Sequence, residues 1–267
     1  MTESRAVSPT GRWGGKITRR PLPDASTSLR GLSREQRVTL ANLWLSQSAT
    51  ERRVASSFEV VHRALVELDA DAGIVAVAAR AVDDELRHAA LCTEMASKYL
   101  GRAVRPPADL PFAHPSHPDA SSEALRRALY VIGQCALNET FASAYLELCL
   151  TDATAPIARA ALRELLSDEV DHARVGWAFL STVSPSTRAE LDGWLLPLAV
   201  CNLREWRALQ LPDGHREVLR AHGVPARDAV ERCLRDALEA MVIPGFERFG
   251  FAVDPLRRWA SRGAPTA

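Results

Sequence analysis

The chain has 267 residues, of which 47% are hydrophobic and 25% charged, a profile typical of a globular protein with a core of its own. Lysine plus arginine and aspartate plus glutamate each total 33, so no net charge favours nucleic acid or an anionic membrane as a partner. No apolar run reaches the roughly 18 residues of a membrane span, and no secretory signal opens the chain; five cysteines without a CxxC spacing favour a reducing cytoplasm.

The first half of the chain predicts two long helices. Residues 1–32 mix Ser, Thr, Pro, Gly and Arg without periodicity, which predicts a flexible N-terminal arm. Ser33 followed by Gln36 is a capping-box pattern that opens the first helix. After a turn over residues 69–73, apolar residues at helical spacing predict a second helix to Leu100.

A proline-rich segment separates these helices from the next pair. Residues 101–121 contain five prolines and cannot be helical throughout. About twenty extended residues reach some 65 Å, enough to travel the length of a helix and to start the third helix parallel to the second. Helical periodicity resumes over residues 122–150 and 157–183, on either side of a short turn.

The remainder, residues 184–267, predicts a helical extension packed on residues 33–183. One helix is expected over residues 187–209, broken near Pro197, and another over residues 226–241. No convincing β-alternation occurs in the sequence, so the predicted fold class is all-α.

One short motif occurs twice, 84 residues apart, as Asp84–Ala89 and Asp168–Ala173. Each copy places a Glu and a His three residues apart, Glu85 with His88 and Glu169 with His172. Residues at i and i+3 share one helix face, so each pair can bind a metal ion from the same side. Both pairs fall in register with the apolar stripes of their helices, and so does Glu139 on the third helix.

Two acids compete for the corresponding place on the first helix. Glu51 lies close to the middle of the stripe that carries Trp44 and Phe58, whereas Glu59 lies a quarter-turn or more away from it. Helical face therefore favours Glu51. Because buried carboxylates are costly unless they are paired or bind a metal, the inward-facing set predicts a dinuclear metal site.

The simpler interpretation is a metal-free helical module that serves as an interaction surface. A single Glu-x-x-His is more often a surface pair than a ligand set, but two such pairs on apolar faces favour the metal site. Metal-bound imidazoles usually donate their second N–H to a carboxylate. We therefore expect Asp168 to orient His88, and Asp84 to orient His172, across the helix pair.

The motif residues resemble those of the ferritin-like di-iron carboxylate superfamily, in particular its uncharacterised bacterial ferritin-like domain proteins. The resemblance is carried by Glu51, Glu85–His88, Glu139 and Glu169–His172, with spacings of 34 and 30 residues between the paired glutamates. Phe58 is a departure, because ferritins tend to carry Tyr there. Leu165 stands where aromatic amine N-oxygenases have a further His, and no CxxC pair for a rubredoxin-type iron is present.

The resemblance implies a four-helix bundle with a long crossover between helices two and three. It also implies two Fe ions, or Mn, bound by Glu51, Glu85, His88, Glu139, Glu169 and His172, with Glu85 and Glu169 bridging. The expected activity is that of an oxidoreductase that uses O₂ or peroxide to oxidise a small organic substrate, with a homodimer as the possible assembly. The alternative is a ferroxidase, iron-handling or peroxide-scavenging protein.

Overall fold

The computed structural model describes residues 20–113, 115–212 and 214–262, and among them it contains helices and no strand, which confirms the all-α prediction. The segments are α1 (Ser26–Leu29), α2 (Arg34–Glu67), α3 (Ala72–Leu100), α4 (Glu123–Val131), the π-helical π1 (Ile132–Asn138), α5 (Glu139–Asp152), α6 (Pro156–Thr182), α7 (Pro185–Asp192), α8 (Leu195–Arg207), α9 (Arg216–Ala221), α10 (Arg227–Ala237), the π-helical π2 (Leu238–Val242), α11 (Ile243–Arg248) and α12 (Asp254–Ser261).

The first two long helices begin where their capping residues predict. Ser33 Oγ accepts a hydrogen bond from the Gln36 backbone N–H at 3.2 Å, and the Ser33 N–H donates to Gln36 Oε1 at 2.8 Å, which completes the capping box. Asp71 caps α3 by accepting from the Gly73 N–H at 2.8 Å. Gly101, with a φ of 65°, follows α3 in the left-handed conformation and leads into the non-helical connection to α4.

The predicted third helix is divided into three consecutive pieces. Helix α4 continues directly into the wider turns of π1, and α5 then resumes the α-helical pattern. Glu139 lies at the first position of α5. A π-helical segment hydrogen bonds from i to i+5 and shifts the face that the following residues present. Apolar spacing alone does not reveal such a shift, and the sequence did not predict it.

The C-terminal helices differ from the prediction in where they break. The interruption expected near Pro197 falls instead at Gly193 and Trp194, between α7 and α8. Pro197 lies in the first turn of α8, where a backbone N–H has no partner within the helix and its loss costs little. The chain beyond this point is more finely divided than predicted, with α9 to α12 following in short pieces.

The long helical segments pack around a common interior. Helix α2 packs against α3 and α4, α3 packs against α6, and α6 packs against both π1 and α5. The C-terminal helices lie on one side of this arrangement, because α10 packs against α5 and α8 packs against π1. Within the described residues, no helix combines the length and the apolar character needed to cross a bilayer.

Two apolar clusters fill the interior, and every long helix contributes to both. Along α2, Trp44 belongs to one cluster and Phe58 to the other. Along α3, Cys92 belongs to the same cluster as Trp44, and Ala81 belongs to the same cluster as Phe58. The boundary between the clusters therefore falls at one level of the molecule, between these residues, and it is there that the motif residues lie.

The predicted N-terminal arm falls partly outside the described residues, which begin at residue 20. From there the chain contacts α6: Ser28 in α1 accepts a hydrogen bond from the Ile157 N–H at 3.3 Å, and Arg20 pairs with Glu164 at 2.7 Å. Ala25 and Ser28 are buried. The part of the predicted arm that the structure describes, residues 20–32, thus contacts α6.

Gly176 is required by the close approach of α6 to π1. A Cβ at this position would lie 2.3 Å from the Ala136 backbone nitrogen and 2.8 Å from its Cα. Gly176→Ala should therefore lower the free energy of unfolding by about 2–3 kcal/mol, measured by urea denaturation. Gly133→Ala is the matched control, because its Cβ would meet only side-chain atoms at 3.7 Å and beyond. The control should change stability by less than about 1 kcal/mol; equal effects would contradict the close-packing account.

Candidate metal centre

Every side chain predicted to bind metal is buried at the level where the two apolar clusters meet. Helix α2 supplies one carboxylate, α3 and α6 each supply a carboxylate and an imidazole, and the start of α5 supplies the last carboxylate. Each of these residues is at most 4% exposed. They are Glu51, Glu85, His88, Glu139, Glu169 and His172.

The ligand atoms form two overlapping groups of four. In each group, the candidate ligand atoms lie within 4.8 Å of one another. Glu85 and Glu169 belong to both groups. The remaining members divide evenly: one group adds Glu51 and His88, and the other adds Glu139 and His172. Two groups that share two carboxylates, and that each add one Glu and one His of their own, have the pattern of two neighbouring cation positions.

The two imidazoles present the same nitrogen to the shared carboxylates. His88 Nδ1 lies 3.4 Å from Glu85 Oε2 and 3.3 Å from Glu169 Oε1. His172 Nδ1 lies 3.0 Å from Glu85 Oε1 and 3.1 Å from Glu169 Oε2. The approximate symmetry of these distances follows from the repeated Glu-x-x-His motif on two helices that pack against each other.

The opposite nitrogen of each imidazole faces an aspartate on the other helix of the pair. His88 Nε2 forms a 3.2 Å hydrogen bond with Asp168 Oδ2. His172 Nε2 lies 3.5 Å from Asp84 Oδ2 without the alignment of a hydrogen bond. This is the crossed arrangement expected from the sequence, and it fixes which nitrogen of each ring faces the carboxylates.

Arg87 connects the two aspartates, a role that the sequence did not predict. Its Nη1 donates to Asp84 Oδ1 at 2.6 Å, and its Nη2 donates to Asp168 Oδ2 at 2.7 Å. The Arg87 side chain is only 16% exposed. The sequence signal that was available is the charge pattern, since a buried Asp pair needs a cation.

Two glutamines support the glutamates that belong to a single group. Gln47 Nε2 donates to Glu51 Oε1 at 2.6 Å from one turn earlier on α2. Gln134 Nε2 donates to Glu139 Oε1 from five residues earlier, a spacing that the π-helical turn brings together. Asn138 Nδ2 adds a longer hydrogen bond of 3.3 Å to the same oxygen. Each of these carboxylates is therefore held by neutral amides and keeps its second oxygen for another partner.

The electrostatics divide the carboxylates into two kinds. Burial raises the pKa of Glu85, as does the charge of Glu169, but the close approach of the His172 and His88 imidazoles outweighs both and leaves that pKa below its ordinary value. The pKa of Glu169 is lowered in the same way, chiefly by His172. Burial and the neighbouring carboxylates raise the pKa values of Glu51 and Glu139 well above the ordinary range.

The imidazoles carry the compensating charge. Burial lowers the pKa of each ring, but the surrounding carboxylates more than reverse this and raise both pKa values well above the ordinary range. The side chains by themselves thus favour two protonated carboxyls and two imidazolium ions around the ionised Glu85 and Glu169. The net charge of the six groups is then zero, at the expense of four bound protons.

The donor set fits a pair of divalent cations. Both oxygens of Glu85 and Nδ1 of His88 are sealed from solvent without a hydrogen-bond partner, which is unusual for buried polar atoms. A set of carboxylate oxygens and imidazole nitrogens suits Fe(II) or Mn(II). No lysine or arginine among the described residues occupies the space between the ligand atoms; the guanidinium of Arg87 contacts the outer aspartates instead.

The competing acid on α2 lies elsewhere. Glu59 is exposed, lines a surface depression between α2 and α3, and belongs to neither group of candidate ligands. Phe58, one residue earlier, does reach the cluster, with its ring centroid 5.0 Å from that of His172. It supplies an apolar wall where ferritins tend to have a hydroxyl. Glu51 is the α2 residue that meets the other candidate ligands.

A cavity of about 390 Å³ extends from the cluster towards the C-terminal helices. Its inner end is formed by the four clustered glutamates, and its walls come from α2, α5 and α6. Residues 205–206, at the end of α8, residues 208–211, which follow it, and residues 222–224, after α9, complete the lining. Trp206 joins this wall to the cluster, because its Nε1 donates to Asn138 Oδ1 at 3.1 Å.

In comparisons with known proteins, no family model, no curated protein and no solved structure matches the chain.

Arg87 should govern how the protein responds to acid. Burial raises the pKa of Asp84, but contacts with His172 and Arg87 outweigh it and lower that pKa to about 2. The resulting stabilisation is complete above the ordinary aspartate pKa and is lost as the pH falls through about 2. In Arg87→Gln the pKa of Asp84 should rise, so unfolding followed by circular dichroism should begin at higher pH than in wild type.

Arg174→Gln provides the matched control for this titration. Its side chain is 71% exposed and pairs with Asp171, a half-exposed residue outside the aspartate pair. The acid midpoint of this variant should equal that of wild type. Equal midpoints for Arg87→Gln and wild type would show that Arg87 does not hold the aspartates ionised.

Proposed function

We propose that α2, α3, the α4–π1–α5 segment and α6 form a ferritin-like four-helix bundle whose centre binds two Fe or Mn ions. The observation that carries this proposal is the pair of four-residue groups that share Glu85 and Glu169. The shared glutamates would bridge the ions. Glu51 with His88 would complete one position, and Glu139 with His172 the other.

We further propose that the protein is an oxidoreductase that uses O₂ or peroxide to oxidise a small organic substrate. A bound pair of redox-active ions would supply electrons to O₂ or peroxide, and the surrounding residues would control access to it. Phe58 and the two apolar clusters exclude water from the ligand atoms. Asp84 and Asp168 keep Nδ1 of each imidazole directed inwards.

Glu51 and Glu139, which each belong to only one of the two groups, have a second role in this proposal. Their pKa values are raised by burial and by neighbouring charge, so Glu51 and Glu139 are suited to hold a proton when positive charge is withdrawn from the centre. Both residues line the cavity. A proton held there lies beside the space that a substrate would occupy, and Gln47 and Gln134 fix the carboxyl orientation.

The cavity favours an organic substrate over iron storage. Its volume of about 390 Å³ falls within the range of small-molecule sites, and it opens directly onto the glutamates. Part of its wall comes from the region after α6, which a four-helix storage protein does not need. An iron-handling protein would instead require a polar route for hydrated ions.

Metal binding by matched variants tests the site. Wild-type protein, loaded anaerobically with Fe(II) and desalted, should retain two ions per chain by elemental analysis. Glu85→Ala should lose both ions because it removes a shared ligand, whereas Glu51→Ala and Glu139→Ala should each weaken one position. Glu59→Ala is the control on the same helix and should retain two. Metal content near zero in wild type would leave a metal-free interaction module as the explanation.

The same preparation distinguishes the two metal-dependent functions. Excess Fe(II) added in air should be oxidised at the centre without accumulating in the protein, so the iron content should remain near two per chain. Iron retained at many ions per chain, in an assembly of cage size by light scattering, would contradict the oxidase proposal and favour storage.

A further inference from the structure

A buried tyrosine–histidine pair lies in the cavity wall contributed by the C-terminal region. Tyr99, near the end of α3, is fully buried, and His222, just after α9, is 5% exposed. The Tyr99 hydroxyl lies 2.7 Å from His222 Nδ1. His222 lines the same cavity as the clustered glutamates, but it takes no part in the candidate metal centre.

The hydrogen bond between Tyr99 and His222 is compatible with two ring tautomers, and burial of the hydroxyl favours the tautomer in which Nδ1 accepts. A buried hydroxyl donates its hydrogen where an acceptor is available, and among the described residues the acceptor for Tyr99 is His222 Nδ1. Burial lowers the pKa of His222, which keeps the ring neutral, and raises that of Tyr99, which keeps the phenol protonated. With Nδ1 accepting, the ring proton of neutral His222 resides on Nε2.

Nε2 of His222 has no hydrogen-bond partner among the described residues. It is therefore a donor on a cavity-lining ring, with its orientation set by a buried phenol. The lining of the same cavity includes the apolar side chains of Leu162, Leu209 and Val224. A donor surrounded by apolar side chains selects a ligand that offers one acceptor on an otherwise apolar body.

The charges of the lining oppose an anionic ligand. Glu205 and Arg53, both exposed, offset one another, and Arg53 is the one lysine or arginine among the described lining residues. Deeper in the cavity the charged side chains are the four clustered glutamates. A carboxylate or phosphate would meet these glutamates at the inner end without a cationic side chain to pair with.

We propose that the cavity binds a neutral, largely apolar molecule of drug-like size that carries one carbonyl or ether oxygen, and that His222 Nε2–H donates to this oxygen. The inference rests on the proposed function in one respect, since it takes the glutamate cluster as the reacting end of the cavity. Tyr99 is then a positioning residue, which fixes the donor without touching the ligand.

A pair of probes that differ in the acceptor tests the proposal directly. The probes are 2-acetylnaphthalene, which has a carbonyl oxygen, and 2-isopropylnaphthalene, which has nearly the same shape and none. Binding to the full chain is measured by isothermal titration, once in metal-free protein and once after Mn(II) loading. Wild type should bind both probes saturably and the ketone roughly fivefold more tightly, as one neutral hydrogen bond predicts.

Variants of the Tyr99–His222 pair and of the cavity lining separate the contribution of the hydrogen bond to probe binding from that of cavity shape. The double variant Tyr99→Phe, His222→Phe removes both polar partners together, and it should bind the two probes equally. Tyr99→Phe alone frees the ring to change tautomer and should reduce the preference for the ketone. Leu211→Trp, which enlarges a half-buried lining residue, should weaken both probes by at least fivefold while leaving their ratio near that of wild type.

Failure of either proposal is recognisable on its own. No saturable binding, equal affinities in wild type, or a preference that survives loss of His222 would overturn the inference, whatever the metal content. Saturable binding with the predicted preference in a protein that retains no metal would uphold the cavity assignment and refute the metal centre. The wild-type ratio decides the inference even if the double variant does not fold.

Discussion

The structure depends on how one buried set of carboxylates is neutralised. Glu51, Glu85, Glu139 and Glu169 meet in an interior that is otherwise filled by apolar side chains. Ionised carboxylates cannot remain in such surroundings without compensating positive charge. The chain supplies two imidazoles, which compensate half of the four charges. The remaining charge can be balanced by protons on two of the carboxyls. Alternatively, two divalent cations can replace these two protons together with the two imidazolium protons.

The residues around the cluster leave room for cations to neutralise the carboxylates. Amides hold one oxygen of Glu51 and one oxygen of Glu139. The other oxygen of Glu51 lies 3.9 Å from His88 Nδ1. The cationic side chain nearest to the motif, Arg87, is directed to the outer aspartates. Among the described residues, no lysine or arginine side chain thus lies between the ligand atoms, while the aspartates hold the imidazoles from behind. This arrangement suits cation binding better than a self-contained ion-pair network.

The sequence predicted that these side chains would be buried together, because the signal for their burial is local. A Glu and a His at i and i+3 share a face whatever the tertiary structure, and their register with apolar neighbours indicates burial. The same logic separated Glu51 from Glu59. The repeat of the motif also predicted the crossed contacts of His88 with Asp168 and of His172 with Asp84, since two equivalent helices that face each other place equivalent residues opposite.

The features that escaped prediction depend on distant parts of the chain or on irregular backbone. Gln134 reaches Glu139 through a π-helical turn, and a period of 3.6 residues carries no trace of it. The role of Arg87 became visible only when Asp168, 81 residues away, was placed beside it. His222 enters the cavity through short C-terminal helices whose breaks do not follow the prolines. Local periodicity is a poor guide to such contacts.

Charge balance gives the most direct test of the central claim. If two divalent cations replace the protons of Glu51, Glu139, His88 and His172, binding should release about four protons per two ions near pH 7. The measurement is a Mn(II) titration in weakly buffered solution, with proton release and bound metal determined together. Two ions bound with about four protons released is the predicted result. No uptake, or two ions bound without proton release, would contradict the account, because the cations would then not have entered this cluster.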